Sequence, residues 1–124
     1  MSCHILLIED EPDIRETLRE LLELVGFKVE TAANGREGLD KLESAGRPCL
    51  ILLDLMMPVM NGWEFLDALQ KSPDPDRAAI PVIAVSAAVE MVDLKARYGC
   101  RSLKKPVDID TLLNMVREHC DVRS

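Results

Sequence analysis

The sequence contains no apolar stretch longer than a strand, and no basic segment precedes its first apolar run, His4-Ile5-Leu6-Leu7-Ile8. Neither a membrane span nor a signal peptide is therefore expected, and the chain is read as cytoplasmic. It also lacks a Gly-rich loop ending in Lys and Ser or Thr, and it lacks GxGxxG, so it carries no nucleotide-binding loop of its own. The four cysteines, Cys3, Cys49, Cys100 and Cys120, are scattered without the paired spacing that zinc or a redox dithiol needs, and they are read as free thiols. The two histidines, His4 and His119, stand far along the chain from its acidic segments and are given no catalytic role. Basic residues are in deficit, 15 against 22 acidic ones, for a formal charge of −7. Long-range contact with nucleic acid or an anionic membrane would be repulsive, so neither is expected as a partner, whereas a cation held by an acidic cluster is compatible.

What the chain does contain is a repeated unit. With 124 residues it has the size of one domain, 1–124, with a core expected from about 4 to 120. His4–Ile8 is short and nearly all apolar, as suits a parallel strand covered on both faces. Beyond Pro12 and Asp13, the positions Ile14, Leu18, Leu21, Leu22 and Val25 recur at helical spacing, and Gly26 supplies a stop. Residues 27–32 read as a second strand. Asn34 with Glu37 resembles a capping box for a helix running through Leu39 and Leu42 to Gly46. A third strand covers residues 49–54, and a helix with Phe65, Leu66 and Leu69 follows Asn61-Gly62. Pro73-Asp74-Pro75-Asp76 reads as an exposed connection to a fourth strand over 81–85, followed by helix, strand and helix.

Five strands alternating with helices predict an α/β fold, a parallel sheet with helices on both faces and right-handed crossovers. In such a sheet ligands gather at the carboxyl ends of the strands. Glu9 and Asp10 close the first strand, Asp54 the third, Ser86 the fourth and Lys105 the fifth. Taken singly, an acidic turn, a surface lysine or a turn serine is most often a solvated or capping group; their joint placement at strand ends favours a functional cluster. Carboxylates crowded on one edge repel each other unless a cation holds them, and a hard divalent ion such as Mg²⁺, completed by water and a phosphate oxygen, suits an oxygen-only set. Lys105 adds a compact positive charge for phosphate and Ser86 a hydroxyl donor. Asp54 is placed to act as a carboxylate nucleophile toward phosphorus.

These segments carry a resemblance. Glu9-Asp10, Asp54-Leu55-Met56-Met57-Pro58 with Asn61-Gly62, Ser86-Ala87 after an apolar strand, and Lys105-Pro106 together resemble the receiver domain of two-component response regulators, in particular its single-domain chemotaxis type. The resemblance runs from about His4 to about Cys120. It implies a flavodoxin-like fold with strand order 2-1-3-4-5. It also implies phosphoryl transfer to Asp54 from a phosphohistidine on a sensor histidine kinase or phosphotransfer protein, with Mg²⁺ as cofactor. Asp10 and Asp54 would bind the ion directly, Glu9 through a water, and the Met56 backbone carbonyl would take another position. Ser86 would follow the phosphoryl group, and Lys105 would pair with its oxygens. The chain would then be a phosphoacceptor signalling domain rather than an enzyme acting on other molecules, catalysing at most its own phosphorylation and dephosphorylation and signalling to a downstream protein.

Two features depart from the family pattern. Ser102 stands where the family often has Tyr or Phe, which argues against an aromatic switch. The path from Ser86 to Lys105 is shorter than usual by roughly three residues, close to one helical turn. Within it, Val89, Val92 and Ala96 form one apolar stripe and Met91, Leu94 and Tyr98 another nearly opposite, so one of the two is left for a loop or a partner to cover. Two rival functions follow: a receiver-like binding module that works without phosphorylation, and a Mg²⁺-dependent aspartyl phosphohydrolase. The hydrolase is disfavoured because Met56 occupies the position, two residues beyond the nucleophile, where a general acid would stand.

Overall fold

The computed structural model describes residues 4–44, 46–55, 60–86, 101–104 and 107–119. Five strands, β1 (His4–Ile8), β2 (Lys28–Ala32), β3 (Leu50–Asp54), β4 (Val82–Ser86) and β5 (Arg101–Lys104), form one sheet in the order β2-β1-β3-β4-β5. All four pairings are parallel. The chain steps from β1 outward to β2 and then returns to place β3 on the other side of β1. The crossover direction therefore reverses between β1 and β3, which opens a crevice at their carboxyl ends.

Strand alternation explains why the central strands are apolar throughout. Leu6, Ile8, Ile51 and Leu53 point into a core closed by α2 (Gly35–Ser44) and α3 (Gly62–Gln70), through Leu42, Phe65, Leu66 and Leu69. Ile5, Leu7, Leu50 and Leu52 point the other way, to Leu18 and Leu22 of α1 (Pro12–Leu24) and to Leu112, Met115 and Val116 of the last helix, Ile109–His119. By the same parity, Glu9 and Asp54 continue the face shared with α1 and the last helix.

The boundaries differ from the sequence reading where a backbone group is spent elsewhere. Phe27 is buried but lies outside β2, because its N–H donates to the Leu22 carbonyl (3.1 Å) and closes α1 after Gly26, which has φ 101°. Asn34 does cap α2, accepting from the Glu37 N–H at 2.9 Å, while the Glu37 carboxylate accepts from the Ala33 N–H at 3.2 Å. The Pro-Asp connection is not wholly irregular: Pro75–Ala78 forms a short helix, α4, with the Asp74 carboxylate accepting from the Asp76 N–H. Proline at the first helical position and aspartate before it start that turn without any apolar face. Cys49 is disulfide-bonded, which corrects the reading of four free thiols. Its N–H donates to the His4 carbonyl at 2.9 Å. The two-striped helix with Val89 and Tyr98 lies outside the described residues.

The last helix, α5 (Ile109–His119), is introduced by Asp108, whose carboxylate accepts from the Thr111 hydroxyl at 2.5 Å and the Thr111 N–H at 3.1 Å. Both bonds favour the ionised form, the hydroxyl more strongly, and hold the Asp108 carboxyl below the usual carboxylate range. A group depressed in the folded state stabilises above its unfolded value, near 4, and that contribution fades as pH falls through the lower folded value. The stability gap between wild type and Asp108→Ala should accordingly be wider at about pH 6 than at about pH 3 in denaturant titrations; an equal gap at both would contradict the ionised cap.

Candidate metal and phosphoacceptor site

The carboxyl ends of β1 and β3 bring three acidic side chains together. One carboxylate oxygen from each of Glu9, Asp10 and Asp54 lies within 4.8 Å of the others. Glu9 and Asp54 are almost wholly buried, at 3% and 4% exposure, while Asp10 is half-buried. The pair Ile8 and Leu53 stand opposite each other in register, so the chain reaches Glu9 and Asp54 one step later on adjacent strands. Burial excludes most water from two of the three carboxylates, and a desolvated acidic set of hard oxygens fits a hard divalent cation. The geometry therefore passes the test that the donor chemistry sets.

Local bonds fix each part. Glu9 extends the β1 ladder through its N–H to the Ala32 carbonyl (3.0 Å), and its carboxylate accepts from the Glu11 N–H (3.1 Å) where α1 begins. A carboxylate at that helix start is favoured by the helix dipole. Arg15, one turn into α1, donates from Nη1 to the Glu9 carbonyl at 2.8 Å and to the Asp10 carbonyl at 3.5 Å. On the β3 side, the Leu55 N–H continues the ladder to the Val85 carbonyl (3.2 Å) and the Leu55 carbonyl accepts from the Gly62 N–H (3.0 Å). Asn61 and Glu64 close a reciprocal capping box at 2.9 and 3.1 Å. Leu55, the residue after Asp54, is thus tied to the start of α3. A small cavity beside Glu9 and Asp54 is walled by Ile14, Leu18, Val107 and Leu112, which gives the carboxylates an apolar flank.

Ser86 ends β4 one residue beyond Val85, the register partner of Asp54, and faces Lys104 in β5. Its backbone thus lies on the expected edge. Lys105 and the Met56 carbonyl lie outside the described residues, as does Pro106. His119 ends α5, while His4 starts β1 at the opposite end of that strand from Glu9. The residue that sequence reasoning passed over is Arg15. Its signal was available: helical side chains lean toward the N-terminus, so a long cation one turn in can reach back to the preceding loop.

Comparison with known proteins decides the family. A sequence model of the response regulator receiver domain matches residues 5–117. The chain belongs to this family. The receiver domain is a signalling module of two-component systems, and this chain is one. It is 36% identical over 117 residues to Protein PilH of Pseudomonas aeruginosa, covering 92% of this chain and 94% of PilH. Against Response regulator Rre1 of Synechocystis sp. it is 38% identical over 117 residues, covering 91% of this chain but 49% of Rre1. The chain thus spans about half the length, or less, of several curated relatives it matches. Among solved structures, chemotaxis protein CheY4 of Vibrio cholerae superposes with a TM-score of 0.84 at 30% identity, covering 96% of this chain and 99% of that one. TrrA of Thermotoga maritima, solved in complex with Mg²⁺-BeF, gives 0.79 at 32% identity, covering 94% and 97%. Among the described residues of this receiver domain, no helix is long and apolar enough to cross a membrane.

Proposed function

We propose that this receiver domain takes a phosphoryl group onto Asp54 from a phosphohistidine of a sensor histidine kinase or phosphotransfer protein, in a reaction that uses Mg²⁺. The observation that carries this reading is the convergence of Glu9, Asp10 and Asp54 within 4.8 Å at the crevice between β1 and β3. Asp10 and Asp54 would hold the ion directly, Glu9 through water, and the Met56 carbonyl would be a further protein ligand. Bound there, Mg²⁺ supplies charge neutralisation for the oxygens of the phosphoryl group. A carboxylate oxygen of Asp54 attacks phosphorus in line, and the P–N bond breaks with its electron pair returning to the imidazole nitrogen. The product is an acyl phosphate on Asp54. Lys105 pairs with its oxygens and Ser86 donates a hydroxyl, and the partner protein reads the resulting shift between two conformations. That TrrA, 32% identical to this chain, was solved in complex with Mg²⁺-BeF supports the use of such an ion here.

The test is incubation with Mg²⁺ and a small phosphodonor, followed by intact-mass measurement of wild type and Asp54→Asn. A single phosphoryl adduct on wild type and none on the variant is expected. Absence of an adduct from both would favour the binding module that works without phosphorylation, and multiple-turnover release of phosphate from unrelated monoesters would favour the hydrolase.

A further inference from the structure

Arg15 presents a physical contradiction. A guanidinium beside a site for a divalent cation repels that cation, and as a bystander it would weaken binding. Yet its side chain is directed at the site's own backbone: Nη1 bonds the Glu9 carbonyl at 2.8 Å and reaches the Asp10 carbonyl at 3.5 Å. These two residues form the turn from β1 into α1. With the bond from Arg15, Glu9 is fixed at three points, since its N–H already binds Ala32 and its carboxylate accepts from the Glu11 N–H. Asp10 has no comparable anchor among the bonds described, and it is the half-buried member of the triad. Asp10 sits in the turn whose carbonyls Arg15 bonds, and its carboxylate lies within 4.8 Å of those of Glu9 and Asp54. Arg15 is half-buried, and a charge-assisted bond to a carbonyl is stronger than a neutral one.

We propose that Arg15 is a positioning residue, clamping the Glu9–Asp10 turn through its carbonyls so that the Asp10 carboxylate is preset to receive Mg²⁺ beside Asp54. This rests on the reading of the triad as the Mg²⁺ site. Two opposed effects then follow from removing Arg15. Loss of its charge makes the site more negative and would tighten binding. Loss of the clamp lets the turn relax and weakens it, and partners that orient a ligand without touching the metal are commonly worth about tenfold or more in metal affinity. The clamp outweighs the charge.

Mg²⁺ titration calorimetry on wild type, Arg15→Ala, Arg15→Lys and Asp54→Asn separates these effects by sign. Expected are binding by wild type, about tenfold weaker binding by Arg15→Ala, an intermediate value for Arg15→Lys, which keeps a donor and the charge, and severe loss in Asp54→Asn. Tighter binding by Arg15→Ala would show a bystander cation and overturn the inference. Unchanged affinity with a lowered melting midpoint would show a merely structural helix-start bond and overturn it too. Either result alongside loss in Asp54→Asn leaves the metal site standing. Absence of Mg²⁺ binding by wild type overturns both. Should Arg15→Ala fail to fold by circular dichroism, Arg15→Lys and Arg15→Gln carry the comparison: Gln, a shorter neutral donor, must bind more weakly than Lys for the clamp to hold.

Discussion

Removal of Mg²⁺ by a chelator is expected to slow phosphorylation of this domain by about a hundredfold or more. Metal stabilisation of charge on a transferring phosphoryl group is worth several kcal/mol, and each ~1.4 kcal/mol is tenfold in rate. The protein has gathered three carboxylates within 4.8 Å, two of them buried, on the edge where an anionic donor must arrive. Without a cation that edge repels the incoming phosphoryl oxygens and hinders the nucleophile's approach. Asp10→Asn removes one of the ligands proposed for Mg²⁺ and should show a similar slowing that excess Mg²⁺ partly restores. The check is the time course of adduct formation from a small phosphodonor, with and without chelator. An unchanged rate in chelator would remove the metal from the mechanism.

Gly62→Ala should lower the thermal midpoint by roughly 10 °C, from a loss of about 2–3 kcal/mol. A Cβ at Gly62 would lie 2.6 Å from the Leu55 Cα and 2.9 Å from the Asp54 carbonyl oxygen, which are backbone atoms that cannot rotate away. Gly38 provides the contrast. Its Cβ would meet the Ile8 Cδ1 at 2.5 Å and the Phe65 Cε1 at 3.0 Å, and the nearer of these is the end of a flexible side chain. Gly38→Ala should therefore cost distinctly less, helped by alanine's better helix propensity. Because the Gly62 N–H also bonds the Leu55 carbonyl, the alanine strain falls on the segment that positions Asp54. Differential scanning calorimetry of both variants decides it, and a Gly62→Ala midpoint within about 2 °C of wild type would mean that Gly62 is not packed against Leu55 and Asp54 as described.

How much was legible in the sequence follows from these particulars. The sheet was legible because Ile5 to Ile8 and Leu50 to Leu53 are apolar at every position, a pattern that two covered faces require. The acidic triad was legible because Glu9-Asp10 and Asp54 each close an apolar run and such ends share one edge in a parallel sheet. The start of α3 after Asn61-Gly62 was legible from the helical spacing of Phe65, Leu66 and Leu69, while its Asn61–Glu64 capping box came from the structure. Less legible were features set by three-dimensional neighbours. Phe27 has strand chemistry, yet its N–H is claimed by Leu22. Pro75–Ala78 makes a helical turn with no apolar periodicity to announce it. Arg15 looks in sequence like other helix cations; the lean of helical side chains toward the N-terminus shows that it can reach back, and the β1–α1 turn supplies the Glu9 carbonyl it meets.

The central claim is that Asp54 is the phosphoryl acceptor. Its most direct test is to treat the Mg²⁺-loaded, phosphodonor-incubated protein with hydroxylamine and locate the resulting hydroxamate by peptide mass mapping. The account predicts one modified residue, Asp54, with no modification of Asp54→Asn and loss of the adduct's mass upon hydroxylamine treatment of wild type. A modification mapped to Ser86, to either histidine or to another carboxylate, or an adduct that persists in Asp54→Asn, would contradict it.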